Sequence, residues 1–192
     1  MQAFSATALA PDTLRDRAAL QEYEGFGQRS GSRAHTEYQK DPLGWIRDKL
    51  GVPEHTLRWS LNDGYAGHDW DGTVDPLSEV LEALAKWEDV GVESGTGTGK
   101  TFLGAAVVLW FLACFEDSIV VTAAPKLAQL TKHIWKEIGV LWPRFLEHFP
   151  EAELLASGAI HMRPGIEERE SWAATAFGCG VGAAEASATK AQ

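Results

Sequence analysis

Residues 94–101 read Ser-Gly-Thr-Gly-Thr-Gly-Lys-Thr. Glycines at alternate positions, Gly95, Gly97 and Gly99, let the backbone take positive φ and turn successive N–H groups toward one anion, an approach that a Cβ obstructs. Lys100 is then spaced to reach the outer phosphates of a nucleoside triphosphate, and the Thr101 hydroxyl to hold Mg²⁺. Ser94, Gly95, Thr96, Gly97, Thr98, Gly99, Lys100 and Thr101 together form the candidate nucleotide-binding site, with Lys100 its candidate catalytic residue. The strict pattern carries Gly where this chain has Ser94. A glycine-rich turn with a chance Gly-Lys-Thr is the bland alternative, and the flanking elements decide against it.

Those elements must place a strand before the loop and a helix after it. Val90 to Glu93 has the length and branching of a short strand, and the apolar run behind the loop predicts a helix from about 99 to 114. Its N-terminal N–H groups and the positive end of its dipole face the same anion. The run Phe102 to Phe115 is about 14 residues, short of the roughly 20 that cross a bilayer. It ends in Glu116-Asp117, which imitates an apolar strand ending in acids. That reading fails, because a second parallel strand needs a crossover of a dozen or more residues first.

Elsewhere Asp41-Pro42 caps a helix over 42–50, with Leu43, Ile46 and Leu50 on one face and Gly51 as its stop. Asp75-Pro76 opens another, with Leu77, Val80, Leu81 and Leu84 on one side. Ser118 to Ala123 is a β-branched strand, and Lys126 to about Leu141 is helical in spacing. Strand, helix, strand, helix predicts a parallel sheet flanked by helices, an α/β core of the P-loop NTPase kind. Past Pro150, Ala159 to Arg163 and Ser171 to Phe177 predict an antiparallel hairpin appended to that core. Residues 1–40 read as a polar leader and linker with a helix at Asp12 to Tyr23, residues 41–192 as the portion that carries the phosphate-binding loop, and Trp59 to Pro76 as a loop.

The 192 residues, 45% apolar with eight tryptophans, suffice for one domain with a sizeable core. A net charge of -10 argues against a broad DNA-gripping surface, so any DNA contact is local or comes from other parts. Cys114 and Cys179 form no Cys-x-x-Cys pair, and with no signal peptide a reduced cytosolic setting fits. His35, His55, His68, His133, His148 and His161 show no spacing that places two imidazoles on one helix face. His68 with Asp69 and Asp71 is a metal set only with help from elsewhere.

The small-x-Thr-Gly-x-Gly-Lys-Thr form of the loop resembles that of superfamily-2 helicases and viral DNA-packaging ATPases. Ser118 to Gln129, a strand ending in a Pro turn with Gln on the next helix, is similar to the second motif of the same proteins. His133 to Ile138 resembles the following helix of large terminase subunits, and Tyr38 to Trp45 with Leu50 to Val52 looks like their leader. Trp172 to Ala176, running on to Thr189-Lys190, looks like the segment before their Walker B strand. The resemblance covers roughly residues 38–192. It implies the ATP-binding part of a large terminase, a hydrolase that spends ATP to move double-stranded DNA into a procapsid. It also implies ATP and Mg²⁺ as cofactors, a small terminase subunit and a portal as partners, a homo-oligomeric ring, and the host cytoplasm as its place.

No apolar strand ending in Asp-Glu occurs between Ser118 and Gln192, so the acidic Walker B motif is missing and the ATPase core reads as incomplete. Glu116, Asp117 and Glu185 are the remaining carboxylates to consider. Arg144, Arg163, Arg169 and Lys190 are the candidates for a basic residue acting in trans on the γ-phosphate. Family members carry an aromatic and a Gln near a Pro for adenine recognition, where this chain has Pro76-Leu77-Ser78; Trp70 and Asp71 are the available substitutes. A nucleotide-binding remnant without turnover and a helicase fragment stay open as alternatives.

Overall fold

The computed structural model describes residues 5–8, 34–53, 75–93, 95, 97–163 and 172–180. Its elements are β1 (Ser5–Ala8), a 3₁₀ turn (Thr36–Tyr38), α1 (Pro42–Asp48), α2 (Pro76–Ala85), β2 (Val90–Glu93) and α3 (Lys100–Cys114). There follow β3 (Ile119–Ala124), α4 (Leu127–Lys132), α5 (Ile134–His148), β4 (Glu153–Leu155), β5 (Ala159–His161) and β6 (Ala173–Gly178). The architecture is α/β: a mixed four-stranded sheet in the order β3-β6-β5-β4, flanked by helices, and a separate two-stranded sheet of β1 and β2.

The helix starts follow from their caps. The Asp41 carboxylate accepts from the Gly44 N–H at 2.8 Å, and Asp75 accepts from Leu77 at 2.9 Å and Ser78 at 3.2 Å. Each carboxylate satisfies donors that the first turn leaves without intrahelical partners, and a proline follows each at the first helical position. The apolar run behind the loop is indeed helix, so Glu116-Asp117 follows a helix C-terminus and not a strand. Lys126 to Leu141 divides at His133 (φ -116°, ψ -86°) into α4 and α5. α5 then passes through Pro143 as far as His148. Pro143 takes one hydrogen bond from the helix, but it and Gly139, four residues earlier, are both exposed, so water can serve the spare carbonyl.

The parallel sheet expected from strand, helix, strand, helix is only partly realised. β2 pairs antiparallel with β1, Ser5 opposite Glu93 and Ala8 opposite Val90. β3 takes β6 as its parallel neighbour, Ile119 opposite Ala173 and Ala124 opposite Gly178. Periodicity reveals that a strand exists, whereas its partner is set by tertiary contacts far away in sequence. The hairpin of β5 and β6 is present, with Ile160 opposite Ala174. It is no appendage, since β6 lies inside the sheet between β3 and β5, and β4 extends it.

α3 is the axis of the core. Leu103, Ala105, Ala106, Leu109, Leu112 and Ala113 are all essentially buried, and α5 packs beside it through Ile138 and Phe145. Within the segment read as leader, β1 is a paired strand and residues 34–40 dock on α3. The His35 N–H donates to Ala113 O at 2.8 Å, Gln39 Nε2 to Cys114 O at 2.9 Å, and Trp110 Nε1 to Tyr38 O at 2.9 Å. Trp172 Nε1 donates to Leu112 O at 2.8 Å, Trp45 Nε1 to His35 Nδ1 at 3.0 Å and Trp135 Nε1 to Thr122 Oγ1 at 3.2 Å. The outer face of β3 and β6 leaves Ile119, Val121 and Phe177 about 60% exposed. The helix expected at Asp12 to Tyr23 and most of the loop after Trp59 lie outside the described residues.

Candidate phosphate-binding site

β2 delivers the chain into the loop and α3 takes it away, as the sequence pattern requires. Gly97 (φ +83°) and Gly99 (φ +86°) both stand in the left-handed region, where a side chain costs about 1–2 kcal/mol per residue. Gly99 is the residue that caps α3. Among the described residues a Cβ built at Gly95 or Gly97 meets nothing within 4 Å, so on that side no described neighbour fills the turn. Three polar groups close the other side. Lys100 Nζ donates to Gly95 O at 2.5 Å and to Thr98 Oγ1 at 3.3 Å, and Thr98 Oγ1 donates to Gly95 O at 3.1 Å. The ammonium is therefore folded across the loop onto two neutral acceptors. Ser94 and Thr96 lie outside the described residues; Thr101 sits half-buried in the first turn of α3.

One contributor was not legible in the sequence. The Leu77 side chain, from the first turn of α2, lies 3.6 Å from the position of a Gly99 Cβ, so α2 buttresses the loop from behind. The cap at Asp75-Pro76 reveals that a helix starts there, but nothing local reveals what it packs against.

The donor set fits an anionic polyphosphate: an open glycine turn, a lysine, and the N-terminus of a 15-residue helix. For a divalent cation the Thr101 hydroxyl is one oxygen ligand, and among the described residues no group of three His, Cys, Asp or Glu side chains is placed to hold a metal. Mg²⁺ keeps several waters and binds largely through substrate phosphates, so a single protein hydroxyl is compatible with it.

The remaining candidates are not gathered at the loop. Glu116 and Asp117 follow the far end of α3, about 22 Å from Lys100 at 1.5 Å per residue. As candidate carboxylates for this loop they are corrected by that distance. Arg163 belongs to the same far end. Its guanidinium donates to the Glu116 carboxylate, lies 3.9 Å from Asp117 Oδ1, and stacks 4.8 Å from the Trp172 ring. With Glu116 only 7% exposed, this is a structural ion pair that a role in trans has to break. Arg144 lies on the solvent side of α5 with Glu147 at 3.4 Å. Arg169, Glu185, Lys190, Trp70, Asp71 and the His68 set lie outside the described residues.

Beyond the loop, the fold also alters the ionisation of His35. Burial lowers its pKa to about 4, with Lys49 and His148 adding repulsion. Its Nδ1 accepts the Trp45 indole proton and its ring meets that of His148 edge-on at 5.1 Å. Burial likewise raises the Cys114 thiol well above its ordinary range, which makes it an inert core group. No helix among the described residues is long and apolar enough to cross a membrane. Comparison with protein families, with curated proteins and with solved structures gives no match.

Proposed function

We propose that residues 94–101 bind ATP with Mg²⁺, and that the chain is the nucleotide-binding part of a P-loop ATPase of the large-terminase kind, which translocates double-stranded DNA into a procapsid. The observation that carries the reading is the left-handed turn at Gly97 and Gly99, capping α3 with Lys100 folded onto Gly95 O. In this reading backbone N–H groups from Gly95 to Lys100 hold the phosphates, and Lys100 neutralises charge on the outer two. Thr101 would supply an oxygen to Mg²⁺, which when bound would offset phosphate charge. The small terminase subunit, the portal, a homo-oligomeric ring and the host cytoplasm belong to the same proposal and rest on the sequence resemblance.

A second reading, a nucleotide-binding module without turnover, is favoured by the position of Glu116 and Asp117 at the wrong end of α3. Where no carboxylate completes the magnesium shell and none aligns water, the transition state lacks two of its main stabilisers; among the described residues Glu116 and Asp117 do neither for this loop.

The test is equilibrium displacement of a fluorescent ATP analogue from the 192-residue chain, alongside steady-state phosphate release. ATP and ADP are expected to displace it and AMP not, because the loop grips the outer phosphates. Equal displacement by AMP overturns the loop assignment. Phosphate release at background favours the second reading for this chain alone. Robust release that disappears in Lys100→Ala favours the first, with a carboxylate from elsewhere in the chain or from a neighbouring copy completing the site.

A further inference from the structure

The two edges of the four-stranded sheet are built differently. β4 forms one of them with three residues and an exposed Glu153, and a short, charged edge discourages pairing with other chains. β3 forms the other with six, Ile-Val-Val-Thr-Ala-Ala. It carries no charge, proline or glycine, most of it is β-branched, and its register with β6 runs six against six without a bulge. Among the described residues no strand lies on its other side. None of the devices that blunt a free edge is present in it.

Burial agrees. Thr122 is buried and bonded to Trp135 of α5, so the even-numbered residues of β3 face the helices. Ile119 and Val121, each 60% exposed, and Ala123 face away. A parallel pair such as β3 with β6 is ordinarily covered on both faces, whereas here the outward face and the outer edge are both uncovered among the described residues. The chain is also polar along this strand: Glu116-Asp117 precedes it and Lys126 follows it, with Arg163 offsetting part of the acid. An identical strand laid antiparallel brings the acidic end of one against the basic end of the other, while a parallel one sets like against like. Such rim charges choose the direction more than they add affinity.

From this edge we infer that two copies of the chain pair β3 to β3, antiparallel across a two-fold axis at Val121, joining their sheets into one with four strands from each copy. Opposite residues of an antiparallel pair lie on the same face, so the outward set of one copy must meet the outward set of the other. An axis at Val121 does this: Val121 meets its own equivalent, and Ile119 lies opposite Ala123 of the partner subunit. The contact is isologous and closes at two copies, unlike the head-to-tail contacts that build a ring. It does not depend on the phosphate loop. One strand's edge covers less than the about 1,600 Å² of a standard interface, so association is expected between about 1 and 100 µM.

The experiment is sedimentation velocity of the full 192-residue chain, without nucleotide, joined to site-directed cross-linking. A monomer–dimer equilibrium is expected over that concentration range. Val121→Lys sets like charges against each other at the axis and should weaken the dimer about tenfold or more. Val140→Lys, at a position of α5 that is 66% exposed, should leave it unchanged. In a Cys179→Ser background the remaining Cys114 is buried, and Val121→Cys should form an intermolecular disulfide under mild oxidation, because residues opposite each other have Cα atoms about 4.5–5.5 Å apart. Ile119→Cys should not, since its equivalent lies four residues along the paired strand, about 14 Å away. The cysteine pair keeps the test decisive should a lysine unsettle the fold. A chain that stays monomeric at about 100 µM, or that grows past the dimer, overturns the pairing. So does equal cross-linking of the two cysteine variants, or a Phe177→Lys variant, altered on the outward face of β6, that weakens the dimer as much as Val121→Lys, since that marks stacked faces and not joined edges.

Discussion

Lys100→Ala isolates the chemistry of the loop from the fold that carries it. In the unliganded chain the ammonium bonds Gly95 O and Thr98 Oγ1 at a partly exposed site, so its loss should change stability by under about 1 kcal/mol. With nucleotide bound those two neutral acceptors are exchanged for phosphate oxygens, and a hydrogen bond to a charged group contributes about 1.5–3 kcal/mol. Near the upper end this is about a hundredfold in the dissociation constant. With Mg-ATP at a hundred times the parent's dissociation constant, linkage stabilises the parent by about 2.7 kcal/mol and the variant by about 0.4 kcal/mol. For a chain of this size the melting temperature moves about 2–4 °C per kcal/mol. The expected shifts are thus about 5–11 °C for the parent and about 1–2 °C for Lys100→Ala, read by differential scanning fluorimetry. Equal shifts in the two proteins, or an equal shift of the parent with AMP, refute the reasoning.

Arg163→Ala should destabilise by about 1–3 kcal/mol, the cost of breaking a buried pair discounted for the 40% exposure of Arg163; in urea titration, Glu116→Leu/Arg163→Met should lose less than the single variant. His35 has a folded-state pKa below its unfolded value, so between about 4 and 6.5 only the unfolded chain is protonated there. Stability from this group is full above pH 6.5 and is lost as pH falls toward 4, by about 1–2 kcal/mol after allowing for its partial exposure. The difference in urea midpoint between parent and His35→Gln should accordingly shrink as pH falls through that window; a constant difference contradicts it. Trp135→Phe keeps the ring and removes the bond to Thr122 Oγ1, and because that hydroxyl still donates to Thr175 O at 3.1 Å, the loss should be about 0.5–1 kcal/mol by denaturant titration.

Local chemistry was legible in the sequence. The caps at Asp41 and Asp75, the glycine turn and the helix behind it all stand where residue types placed them, because each depends on neighbours within four positions. Partnership was not. Val90 to Glu93 and Ser118 to Ala123 read as strands of one parallel sheet, yet β2 joins the N-terminal Ser5–Ala8 and β3 joins β6, from the range read as an appended hairpin. The break at His133 escaped notice because the apolar spacing continues across it. Around the loop, the turn at Gly97 and Gly99 and the helix start at Lys100 could be read from spacing alone, whereas the Leu77 buttress and the removal of Glu116 and Asp117 to the far end of α3 needed coordinates. A carboxylate after an apolar run has the same sequence signature at either end of a helix.

The indole anchors have a spectroscopic consequence. Trp45, Trp110, Trp135 and Trp172 are buried, each with its N–H donated to one fixed acceptor. The four bonds bridge parts of the chain 10, 13, 60 and 72 residues apart. Intrinsic fluorescence therefore does more than register burial: the emission of each indole reports closure of a particular long-range loop. Single Trp→Phe variants at these positions turn one unfolding curve into a set, and divergence among their midpoints locates which end of α3 lets go first.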